Sequence, residues 1–220
     1  MNAQTIAKAP LEAKPISEIR TVGIIGAGQM GSGIAHVISL AGYSVAMNDL
    51  ARERVEAALA GIERNMMRQV TRGAIKDADA KAAIKRISYA PAFGDLAHCE
   101  LVIEAATEDE SVKRKIFTEL CPKLNKTAMV ASNTSSISIT RLASGTDRPE
   151  RFIGMHFMNP VPVMQLVELI RGIATEDATF GIARNFVESL GKTISVSEDF
   201  PAFIVNRILL PMINEAVYTL

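Results

Sequence analysis

Tryptophan is absent from the 220 residues, cysteine occurs twice and histidine three times. The missing tryptophan says little. The two cysteines, Cys99 and Cys121, show neither metal nor redox spacing and form no disulfide framework, which points to a reducing compartment and hence the cytoplasm. No metal site is predicted. Neither sign of charge is in excess, with 24 Lys plus Arg against 24 Asp plus Glu. No global charge therefore draws the chain to nucleic acid or to an anionic membrane surface. No uninterrupted apolar run is long enough to cross a bilayer. Residues 1–19 lack the apolar core of a signal peptide and the arginines of a mitochondrial presequence. They hold Pro10 and Pro15 and read as a flexible tail. What remains is long enough for one large domain or two small ones.

What the chain does have is a glycine loop, Gly26-Ala27-Gly28-Gln29-Met30-Gly31, set between two apolar stretches. Thr21-Val22-Gly23-Ile24-Ile25 before it reads as a strand, and Ser32 to Leu40 after it is apolar at helical spacing. Strand, glycine turn and helix in that order suit a dinucleotide site. Gly26 allows the tight turn, Gly28 lets backbone approach a pyrophosphate, and Gly31 lets helix pack on strand. The helix N-terminus offers free N–H groups to the phosphates. Asp49 follows a second strand, Tyr43 to Asn48, where a carboxylate can accept from ribose hydroxyls and repel a 2′-phosphate. The expected cofactor is therefore NAD rather than NADP. The competing reading makes Asp49 the cap of the next helix.

Strand and helix patterns alternate down the chain. Arg52 to Arg72 carries an apolar stripe (Val55, Leu59, Ile62, Met66, Val70), Gly73 is a plausible stop, and Asp77 to Lys85 is a shorter helix. Nine Lys and Arg between Arg52 and Arg86 outnumber the acids; most read as a solvated face, a few as contacts to a phosphorylated substrate. Strands follow at Arg86–Ala90, Leu101–Ala105, Thr127–Ala131, Phe152–His156 and Gln165–Ile170, with helices at Asp109–Leu120 and Ser138–Ala143. Thr175 to Leu190 reads as a helix capped by Thr175 and ended by Gly191, and Lys192 to Val196 supplies the last strand. This predicts an α/β fold of Rossmann type, a doubly wound and mostly parallel sheet with a helical hairpin insertion. After Pro201 a nearly all-apolar helix begins with little to bury against. The predicted division is a tail at 1–19, an NAD-binding domain at 20–199, and at 200–220 the truncated start of an all-α C-terminal domain.

One pair stands out as chemical. His156 ends a strand and Glu168 lies on the next, with a prolyl turn between them. If the two strands fold back, imidazole meets carboxylate. His156 would then take an alcohol proton as hydride leaves carbon, while Glu168 orients the ring. His36 and His98 read as structural, as do Ser132 and Thr134 in the polar turn Ser132-Asn133-Thr134-Ser135-Ser136. Asn206, at the start of the terminal helix, could reach a substrate carbonyl.

Together these stretches resemble the 3-hydroxyacyl-CoA dehydrogenase family. The resemblance runs from about Thr21 to the last residue. It is carried by the glycine loop, Val102-Ile103-Glu104-Ala105, Ser132 to Ser136, His156 to Met164, and Asn206-Arg207-Ile208-Leu209. It implies oxidation of a short (3S)-3-hydroxyacyl-CoA, such as 3-hydroxybutyryl-CoA, with His156 as base and Glu168 as its partner. It also implies that Ser135 and Asn206 hold the 3-oxygen, and that Gln29, Met30, Glu108, Lys113, Ser135 and Asn159 contact NAD. Asn65 and Arg72 fall where the family meets coenzyme A. A homodimer through the helical region is implied as well. Ala202 stands where the family usually has glycine. Two other readings stay open: a non-catalytic NAD-binding protein, and a dehydrogenase of the 3-hydroxyisobutyrate type, against which the His–Glu pair argues.

Overall fold

The computed structural model describes residues 19–220. The tail reading therefore lies outside the described residues, except at Ile19, which packs partly buried against the core. The strands are β1 (Thr21–Ile25), β2 (Ser44–Asn48), β3 (Ile87–Tyr89), β4 (Leu101–Glu104), β5 (Met129–Ser132), β6 (Phe152–Phe157), β7 (Leu166–Arg171) and β8 (Thr193–Glu198). The helices are α1 (Gln29–Leu40), α2 (Arg52–Thr71), α3 (Asp77–Lys85), α4 (Glu110–Leu120), α5 (Ile139–Ala143), α6 (Asp177–Ser189) and α7 (Val205–Thr219).

All eight strands form one sheet in the order β3-β2-β1-β4-β5-β6-β7-β8. Every pairing is parallel except that of β6 with β7. Apolar side chains on both faces of β1 and β4 bury them completely or nearly so, as a sheet covered by helices requires. One core lies under α1, α2, α3 and α6, with Ile24, Ile34, Ile62, Met66 and Val187 among its members. The opposite core lies under α4 and α5, around Val102, Phe117, Leu142 and Phe152. The order reverses at β1, which has β2 on one side and β4 on the other. That reversal opens a crevice beyond the carboxyl ends of these strands, where ligands of such sheets bind.

One detail departs from expectation. Thr175 does not cap α6: its hydroxyl donates to the Phe152 carbonyl at 2.6 Å and accepts from the Gly172 N–H at 3.0 Å. The residue at the cap is Glu176, which makes no side-chain capping bond. A buried carbonyl nearby outcompeted the helix end for the hydroxyl. The α7 helix is longer in reach than in contact, because none of its residues is buried.

Candidate active site

The cofactor corner is assembled by the ends of β1, β2 and β4. Ile25 pairs with Asn48 on one side and Glu104 on the other. The Gly26 N–H donates to Asn48 O at 2.8 Å, and Gly26 has φ 99°. The glycines differ in what they serve. A Cβ on Gly31 would sit 1.8 Å from the Gly26 carbonyl, so that position must be bare for α1 to pack. A Cβ on Gly28, the residue before α1, would meet nothing within 4 Å. Its missing side chain leaves room for a ligand rather than for the fold. Gln29 and Met30 open α1 and line a cavity of about 720 Å³ with Asp49. Bare backbone, an unencumbered helix N-terminus and a carboxylate at the second strand fit an adenine dinucleotide.

Asp49 does not cap α2, whose capping position is Ala51. Its Oδ2 instead accepts from the Ala27 N–H at 2.7 Å and its Oδ1 from the Leu50 N–H at 2.7 Å. The carboxylate thus ties β2 to the glycine loop and stays beside the cavity. A second cavity of about 570 Å³ lies between α1 and α2, lined by Asn65, His36 and Asn159 among others. Asn159 and Asn65 therefore meet one space, whereas Arg72 caps the far end of α2 and lines neither cavity. His36 is buried, its ring nitrogens have no hydrogen-bond partner among the described residues, and burial holds its pKa below the ordinary value.

A buried polar cluster stands behind the β4 and β5 ends. Glu104 is fully buried and accepts from Lys113 Nζ at 2.7 Å, Ser132 Oγ at 2.7 Å and the Ala106 N–H at 2.7 Å. Lys113 also lies 3.5 Å from Glu108. Glu108 in turn accepts from Thr134 Oγ1 at 2.6 Å and from the Ser135 N–H and hydroxyl at 2.8 and 3.0 Å. Burial alone would raise the Glu108 pKa, but the bonds from Thr134 and Ser135, with Lys113 nearby, hold it below the usual range. Lys113 is thus a buried strut behind Glu108, and neither residue lines the two cavities. Ser132 and Thr134 are structural, as expected, and both are buried.

His156 and Glu168 are directly opposite one another in the antiparallel β6–β7 pair. His156 Nδ1 lies 2.7 Å from Glu168 Oε2, with the carboxylate fully buried. The other oxygen, Oε1, accepts from the N–H groups of Ile204 and Val205 at 3.0 and 2.9 Å. Burial pushes the Glu168 pKa up, and the bonds from His156, Val205 and Ile204 outweigh it and hold the carboxyl ionised below its usual range. An ionised Oε2 accepts from Nδ1–H, and in the neutral ring that tautomer leaves the lone pair on Nε2. Asn206 Nδ2 donates to the Ser135 carbonyl at 3.2 Å, so these two residues adjoin although they are 71 positions apart.

Several contributors were not singled out from sequence. Glu104 could have been, as a lone acid in an apolar strand. Asn133, whose Oδ1 accepts from the Phe157 N–H at 2.9 Å, fixes the end of β6. Leu50, Val112 and Ile116 line the cofactor cavity, and only their tertiary position marks them.

The sheet order and the glycine corner define a doubly wound, dinucleotide-binding dehydrogenase domain. Comparison gives the family. Residues 21–200 match the model of the 3-hydroxyacyl-CoA dehydrogenase NAD binding domain. The chain is 63% identical over 202 residues to a 3-hydroxybutyryl-CoA dehydrogenase of Bradyrhizobium diazoefficiens, covering 92% of this chain and 69% of that one. It is 45% identical over 201 residues to a probable 3-hydroxybutyryl-CoA dehydrogenase of Bacillus subtilis, covering 91% and 70%. The solved (S)-3-hydroxybutyryl-CoA dehydrogenase PaaH1 of Ralstonia eutropha superposes with a TM-score of 0.89 at 46% identity, covering 90% and 70%. The chain belongs to the 3-hydroxyacyl-CoA dehydrogenase family, and its cofactor is NAD. It spans about seven-tenths of the length of these relatives.

Proposed function

We propose that this protein oxidises a short (3S)-3-hydroxyacyl-CoA, such as 3-hydroxybutyryl-CoA, to the 3-ketoacyl-CoA. The observation that carries the reading is the 2.7 Å bond between His156 and the buried Glu168. Bound NAD⁺ supplies the hydride acceptor. His156 Nε2 takes the hydroxyl proton, and Glu168 stabilises the resulting imidazolium through Nδ1–H. Ser135 and Asn206 orient the 3-oxygen. Gly26, Gly28, Gln29, Met30, Gly31 and Asp49 hold the adenosine and pyrophosphate side of the cofactor, with Glu108 and Asn159 toward the nicotinamide and the buried Lys113 acting only by bracing Glu108 from behind. Asn65 and Arg72 meet coenzyme A, and the Asn65 side is the better supported because it lines a cavity.

Residues 20–199 form the NAD-binding domain in this reading. The segment 200–220 begins a helical region that closes on substrate and supplies a homodimer contact; the exposed apolar residues of α7, Ile208, Leu210 and Val217 among them, support it. Among the described residues no helix is long and apolar enough to cross a membrane. The free, buried Cys99 and Cys121 suit the cytoplasm.

The test is NADH oxidation by acetoacetyl-CoA, with NADH binding measured in parallel. Replacing His156 by Ala should lower kcat at least ~10²-fold, the scale of general acid–base catalysis, and leave NADH affinity within about twofold. Unchanged turnover in that variant would refute the assignment of the base. NADH binding without turnover in the parent chain would favour a non-catalytic NAD-binding role for these residues.

A further inference from the structure

Asp49 has a cationic neighbour that the reaction does not use. Arg54, in the first turn of α2, places a guanidinium nitrogen 3.5 Å from Asp49 Oδ1. The two side chains are held very differently. Asp49 is 8% exposed and fixed by two backbone N–H groups at 2.7 Å each. Arg54 is 66% exposed, and among the described residues its side chain has this one ion pair. A long, exposed pair of this kind is weak, so the guanidinium is free to be re-aimed. Arg54 lines the cofactor cavity together with Asp49 and Leu50. The carboxylate and the guanidinium thus occupy the same corner, where the adenosine ribose of a dinucleotide belongs.

These two groups favour opposite ligands. A carboxylate accepts from a ribose 2′-hydroxyl and repels a phosphate there. A guanidinium binds a phosphate by parallel charge-assisted bonds. The positive end of α2 lies at the same corner and adds to the attraction, with Glu53 of that turn as the opposing acid. Lys115 is a second cation and Glu119 a second acid among the residues that line this cavity. We propose that Arg54 is a latent 2′-phosphate site masked by Asp49, so that refusal of NADP(H) rests on one carboxylate. The inference builds on the NAD site of this domain and concerns the ligand's adenosine end only.

Binding of NADH and NADPH, titrated by fluorescence, tests it without any need for turnover. The parent chain should bind NADH and discriminate against NADPH; failure to bind NADH would count against the cofactor site itself, not against Arg54. Asp49→Asn keeps the shape and one acceptor while removing the charge. It should shift the NADPH-to-NADH affinity ratio by ~10–100-fold toward NADPH, the worth of one charged hydrogen-bonding contact. Adding Arg54→Ala should abolish the shift, whereas adding Arg52→Ala, on a neighbouring residue outside the cavity, should leave it. If thermal melting shows Asp49→Asn to be unfolded, Asp49→Ser replaces it in each pair. A shift that survives Arg54→Ala, or no shift in a folded Asp49 variant that still binds NADH, overturns the proposal. The fragment 2′,5′-ADP should follow NADPH through the series.

Discussion

Gly28 and Gly31, three residues apart in one motif, have separable roles. An alanine at Gly31 would drive its methyl into the Gly26 carbonyl at 1.8 Å, which no side-chain adjustment relieves. Gly28 has φ −70° and ψ −170°, a conformation open to any residue, and empty space around it. Gly31→Ala should therefore lose stability outright, seen as a melting temperature many degrees lower or as insoluble protein. Gly28→Ala should melt within about 2 °C of the parent, because neither strain nor overlap arises. Its NADH affinity should nonetheless fall at least ~10-fold, since the methyl fills the space left for pyrophosphate. Equal melting and equal NADH affinity in Gly28→Ala would show that the pyrophosphate lies elsewhere. The motif already gave these glycines different tasks, and the neighbours of each Cβ show the physical reason for the division.

At the scale of elements, the segment joining β8 to α7 is held by two carboxylates. Asp199 accepts from the Ser138 hydroxyl and from the N–H groups of Ile139 and Thr140, at 2.7 to 2.8 Å. Glu168 accepts from the first N–H groups of α7 through the oxygen not used by His156. Between these anchors Ala202 and Phe203 have φ of 68° and 52°, the left-handed region that side chains avoid. This explains physically why glycine is usual at the position of Ala202. Ala202→Gly should stabilise the protein by about 0.5–1 kcal/mol, the relief of strain less the added freedom of the unfolded chain. Its melting temperature should rise by about 2 °C. A lower melting temperature would mean that the alanine methyl packs usefully at the junction. The elements themselves were legible: the α2–α3 hairpin, the buried β4 and the β6–β7 reversal all follow from periodicity and prolyl turns. The cap of α6 was not, because a hydroxyl chooses between a helix end and a buried carbonyl only in three dimensions.

For the molecule as a whole, acid is the sensitive direction. Glu108, Glu168 and Asp199 are all held below the ordinary carboxylate range: burial opposes ionisation in each, but hydrogen bonds to the charged form prevail. A depressed folded pKa means that the unfolded chain binds protons first on acidification. The stabilisation is therefore fully present above the unfolded carboxylate range of about 4, and is lost as pH falls through the folded values below it. Thermal midpoints should begin to decline below about pH 6.5, where the unfolded chain protonates His36 and burial resists it in the fold, and drop steeply below about pH 4. Glu168→Gln should start less stable and fall less steeply, its proton uptake on acid unfolding lower by up to about one. Parallel acid curves for the two proteins would show that Glu168 is not ionised in the fold.

The sequence by itself determined the α/β class, the strand and helix order, the dinucleotide corner and the His156–Glu168 pair. Each is written in short-range patterns: glycine spacing, apolar periodicity, and a turn that reverses two strands. The tertiary structure alone decided which polar groups work together, because those bonds join residues on different elements or loops whose relative placement no short pattern fixes. It set Glu104 under Lys113, and Glu108 under Ser135. It gave the second oxygen of Glu168 to α7 and put Asn206 against Ser135. It also set Arg54 against Asp49, five residues apart but separated by the start of a helix. A carboxylate can accept several bonds at once, and sequence shows the carboxylate without showing which donors the fold will bring to it.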